Sequence, residues 1–106
     1  MPHHLRYLLL LGLFAALAAC ATAPPVQEMS DARQAIAAAR EAGAQEHAAD
    51  RLQEAQRLLE SAEGYLENDN NPNGFWSARR AALSAKNTAL DALLISRAAR
   101  EAAVTP

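Results

Sequence analysis

Cys20 is the only cysteine in this chain of 106 residues. A lone thiol has few chemical uses. It cannot close a disulfide within its own chain. As a nucleophile it needs a base beside it in space, and as a metal ligand it needs further Cys, His or acidic ligands. The histidines are His3, His4 and His47, and the first two fall in the same N-terminal segment as the cysteine. Attachment is the remaining use. A second candidate is Asp69-Asn70-Asn71-Pro72-Asn73-Gly74, which fits the first half of a calcium loop of the EF-hand type. Its twelfth position is Arg80, where that loop requires a bidentate glutamate. A polar turn is expected there, and no metal. There is no glycine-rich phosphate loop, no paired catalytic carboxylates and no nucleophile with a spaced base. The expectation is therefore a protein that is not an enzyme and carries no cofactor.

The segment that positions Cys20 reads as a processing signal. Residues 1–7 are MPHHLRY, with Arg6 the one fixed positive charge, and Leu8 to Ala19 follow without a charge. That is a short basic region and an apolar region of signal-peptide length. It is shorter than the about 20 apolar residues that a spanning helix needs. Small side chains stand just before the thiol. Leu17-Ala18-Ala19-Cys20 resembles the lipobox of bacterial lipoproteins. The resemblance implies cleavage between Ala19 and Cys20, a diacylglycerol on the thiol and a further acyl chain, such as palmitate, on the new amine. Several chains together anchor stably where one does so only marginally. Ala21 stands where an aspartate would mark retention in the inner membrane. The resemblance therefore implies the outer membrane, with the protein facing the periplasm. Three segments are expected: a signal peptide over 1–19, the lipidated cysteine and tether over 20–26, and a helical domain over 27–106. Pro24-Pro25 favours an extended tether.

The helical domain is rich in alanine, the best helix former. From Cys20 onward, 23 of the 87 residues are alanine, so large core side chains are few. No stretch alternates apolar and polar residues as a strand does. Three helices are expected, over about 27–42, 50–67 and 75–103. Met29, Ala32, Ile36 and Ala39 form the first stripe, and Gly43 stands where a glycine ends a helix. "AQEHA" is expected to be a connector, with His47 a half-buried spacer. Leu52, Ala55, Leu59, Ala62 and Leu66 form the second stripe, after an Asp50–Gln53 capping box. Asn71-Pro72 reads as an N-cap and first-turn proline, and Gly74 as a source of turn freedom. Phe75, Ala78, Ala82, Ala85, Ala89, Ala92, Ser96, Ala99 and Ala103 form the third stripe. Leu83, Leu90 and Leu93 are expected to widen it into a full core face. The fold class is all-α, a small antiparallel three-helix bundle. A core this small rarely supplies more than about 3–5 kcal/mol, so self-association along the alanine seam is also expected.

"ARQAIAAAREAGAQEHAADRLQEAQRLLESAEGYL" and "GFWSARRAALSAKNTALDA" resemble the domain-of-unknown-function family 4398, short helical domains of bacterial lipoproteins. Some relatives carry an OmpA-like peptidoglycan-binding domain after this region, and no such domain is expected here. The resemblance brings no assigned biochemistry. Ten basic against twelve acidic residues leave no basic excess for nucleic acid. The expected role is a lipid-anchored structural or protein-interaction component of the cell envelope. It would meet the membrane through Cys20 and other envelope proteins, or itself, through helix surfaces. The alternative is a periplasmic binding module for peptidoglycan or a small ligand. Trp76, Arg79 and Arg80 are the candidate partner contacts. Packing of Trp76 over the bundle end beside Tyr65 is the favoured reading of the tryptophan. Arg79 and Arg80, like Glu60, Glu63 and Glu67, are expected on solvated helix faces, with a pair between one of the arginines and an acid of the second helix as the alternative.

Overall fold

A computed structural model describes residues 2–105, with the side chains of 17–22 outside the description. The chain is helical almost throughout, with no strand among the described residues. Five helices follow one another: α1 Pro2–Thr22, α2 Val26–Glu41, α3 Ala44–His47, α4 Ala49–Asn68 and α5 Pro72–Val104. No helix among the described residues is long and apolar enough to cross a membrane.

The ends follow from local chemistry. Gly43 takes φ +93°, where a side chain is strained. Its N–H reaches the Arg40 carbonyl at 3.0 Å and so satisfies one of the orphaned carbonyls at the end of α2. The expected connector after it winds into the single turn of α3. Ala48 then serves as C-cap of α3 and N-cap of α4 without any side-chain bond. The capping box expected at Asp50 and Gln53 is therefore absent, and Asp50 lies inside the first turn of α4. α5 starts three residues earlier than the expected Phe75. Asn71 Oδ1 accepts from the Gly74 N–H at 3.1 Å, and Pro72 occupies the first turn without needing a donor. Gly74 acts through close approach and not through turn freedom. A Cβ built there would lie 1.7 Å from the Asp69 carbonyl oxygen.

Packing shows the directions of the helices. Met29 near the start of α2 clusters with Ala62 from α4 and with Ala78 and Ala82 from the start of α5. Ala35, Ile36, Ala39 and Ala42 cluster with Leu52 and Ala55 from the start of α4, and with Ala89, Ala92 and Leu93 farther along α5. So α4 runs antiparallel to both neighbours, and α2 runs parallel to α5. Both α2 and α4 rest mainly on α5. Among the described residues the core is made of alanines, ten of them fully covered, together with the larger buried side chains of Met29, Ile36, Leu52 and Leu93. Small side chains let helix axes approach closely, and dispersion over many short contacts replaces bulk.

One expectation about packing is corrected. Leu83 and Leu90 are exposed and only Leu93 enters the core, because the first two point away from α2 and α4. The molecule is also extended, with principal dimensions of 74 × 35 × 13 Å. α5 alone is about 50 Å long at 1.5 Å per residue. The described side chains of α1, residues 2–16, are all exposed. α1 continues to Thr22, and Pro25 is fully buried.

Candidate functional site

Cys20 and Ala19 fall in the last turn of α1, outside the residues whose side chains are described. The three downstream candidates do not form one site. Arg79 is a clamp inside the fold. Its Nε donates to Glu28 Oε1 at 3.2 Å, and its terminal nitrogen donates to the Ala23 carbonyl at 2.9 Å. The Arg79 side chain is only 18% exposed. The solvated face expected for Arg79 is corrected: the side chain is largely covered, its partner is on α2 and not α4, and the second bond holds the segment before α2. A guanidinium suits this because its fixed fork can serve a carboxylate and a carbonyl together.

Trp76 is 59% exposed and Tyr65 is 43% exposed, so the expected cap over the bundle end is not formed. Trp76 stands one position past Phe75, and that one-residue step of about 100° turns it to the outer side of α5. Arg80 is exposed as well, at the edge of a shallow polar groove with Tyr65, Ser77 and Ser84. His47 is exposed, against the half-buried expectation. No group of three or more His, Cys, Asp or Glu among the described residues could hold a metal. The polar loop is committed to structure instead, since the Asn71 carboxamide oxygen is bonded to the α5 backbone.

The structure adds a groove that the residue patterns did not single out. Arg33, Ile36 and Arg40 on α2 face Gln56, Leu59, Glu60 and Glu63 on α4 around a volume of ≈ 580 Å³. It lies between two helices that each rest mainly on α5. Arg33 pairs with Glu63 across it at 3.2 Å, with both side chains well exposed. Lys86 and Asp31 make a looser link between α5 and α2 at 4.0 Å. Such exposed pairs contribute at most about 1 kcal/mol each. Nearer the start of α4, Arg57 pairs with Glu54, whose hydrogen bond and charge push the guanidinium pKa further up. The groove was detectable only as polar side chains recurring at helical spacing, a pattern that any solvated face shows.

The family model described as "Domain of unknown function (DUF4398)" matches residues 27–105. The chain belongs to the DUF4398 family. The match begins one residue into α2 and ends one residue past α5, so it spans the helices that pack together and leaves out α1. No curated protein matches this DUF4398 chain, and no solved structure does.

Proposed function

We propose that this DUF4398 protein is a lipid-anchored cell-envelope component of structural or protein-interaction type. In this reading Cys20 carries the lipid, residues 1–19 are removed, and the outer membrane holds the protein facing the periplasm. The helical region acts as a small antiparallel three-helix bundle. The observation that carries the reading is Leu17-Ala18-Ala19-Cys20 closing an uncharged apolar run. The exposure of the described α1 side chains supports it, because a segment without core contacts can be removed at little cost to the fold. Labelling with radioactive palmitate, followed by membrane fractionation, tests the reading. The native chain should carry label and sediment with outer membranes. Cys20→Ala should lose the label and leave the outer-membrane fraction. Label that survives the substitution would refute the anchoring claim.

One observation favours a second reading, a module that binds peptidoglycan fragments or a small polar ligand. The α2–α4 groove offers Arg33, Arg40, Gln56 and Glu60 around an open volume, and polar groups converging on a concavity are what such a ligand needs. Calorimetry with purified muropeptides distinguishes the two. Saturable binding that is lost in Arg40→Ala would favour the second.

A further inference from the structure

The outer side of α5 carries an apolar stripe that α2 and α4 leave uncovered. Trp76, Leu83, Leu90 and Leu94 are 59%, 44%, 37% and 61% exposed. With Arg80, Asn87, Arg97 and Glu101 they continue the alternating four- and three-residue spacing from 76 to 101. That spacing is the seam of a coiled coil. It lies opposite the buried Ala78, Ala82, Ala85, Ala89 and Ala92, so the alanine seam expected to mediate self-association is already occupied within the chain.

The charges on this face select its occupant. In a parallel pairing with a second copy, Arg80 would meet Arg80 and Arg97 would meet Arg97. An antiparallel pairing centred near Ala85 places Trp76 opposite the second copy's Leu94 and Leu83 opposite its Asn87. Arg80 then falls opposite Leu90 of the second copy, beside its Asp91. Shifting that pairing by one heptad toward the C-terminus sets Arg80 against Arg97. Arg80 and Asp91 are both exposed, and neither makes an ion pair among the described residues. They lie on the same flank of α5, and antiparallel helices bring matching flanks together. A single polar Asn within such a seam is a known means of setting register.

We propose that the outer face of α5 is the interface of an antiparallel homodimer, with Arg80 of each copy paired to Asp91 of the other. This goes beyond the anchoring reading and does not depend on it, because the test uses a chain without the lipidated thiol. The whole chain carrying Cys20→Ala is studied in detergent micelles that cover α1. Sedimentation should give a dimer. Arg80→Glu should weaken self-affinity by about tenfold or more through the like charges it creates, and adding Asp91→Arg should restore it. A monomer, or a dimer indifferent to Arg80→Glu, overturns the proposal. A thiol probe provides a check independent of the charge variants. Ser84→Cys, close to the dyad, should crosslink to itself on mild oxidation, and Ala98→Cys, far from it, should not. Equal crosslinking of the two overturns the antiparallel register. Absence of crosslinking in both, with Trp76 fluorescence shifting on phosphatidylglycerol vesicles, would assign the face to lipid instead.

Discussion

At the scale of single residues, alanine is the determining choice. Ala78, Ala82, Ala85, Ala89 and Ala92 are fully covered, and each occupies space that a longer side chain would take from a neighbouring helix. A core built this way tolerates little added volume, since overpacking forces side chains off their rotamers or moves backbones. Ala89→Leu is therefore expected to destabilise the protein by about 1–3 kcal/mol, measured by urea denaturation. The same substitution at exposed Ala98 should change stability by less than about 0.5 kcal/mol. Ser96 is the buried polar exception. Its hydroxyl donates to the Ala92 carbonyl at 2.7 Å, so it sits in an alanine seam without an unsatisfied group.

At the scale of elements, the helix ends are held by specific devices more than by propensity. The turn before α5 combines Asn71 as cap, Pro72 in the first turn, and Gly74 where the Asp69 carbonyl approaches too closely for a Cβ. Asn71→Ala should cost about 1 kcal/mol, visible as a lowered denaturation midpoint with the helical signal of the folded state retained. The start of α4 has no comparable side-chain cap, and the turn of α3 running into it through Ala48 supplies the carbonyls instead. The Ala44 carbonyl accepts from Ala48 N–H, and the Ala48 carbonyl accepts from Leu52 N–H.

At the scale of the whole molecule, α5 organises everything else. α2 and α4 rest on it from two sides, and Arg79 ties the tether and the start of α2 to it. α1 contributes no described side chain to the core. A chain lacking residues 1–22 keeps Ala23 and Pro25, hence the Arg79 clamp and the start of α2. Its unfolding free energy should stay within about 0.5 kcal/mol of that of the whole chain. A larger loss in circular-dichroism melts would show that α1 supports the fold.

The sequence by itself determined that the chain is helical, where its helices stop, and which alanine stripe is buried. These follow from backbone chemistry and the 3.6-residue period, which act locally. Gly43, Asn71 and the stripe from Ala78 to Ser96 were legible for that reason. The sequence also marked Cys20, through the residues just before it. The tertiary structure alone decided which apolar residues beside that stripe turn inward. Leu83, Leu90 and Leu93 look equivalent in sequence, yet only Leu93 is covered, because coverage depends on where α2 and α4 sit around α5. It likewise placed Arg79 against Glu28, far away in sequence, and opened the groove between α2 and α4. Those outcomes depend on distances between elements, which no local pattern encodes.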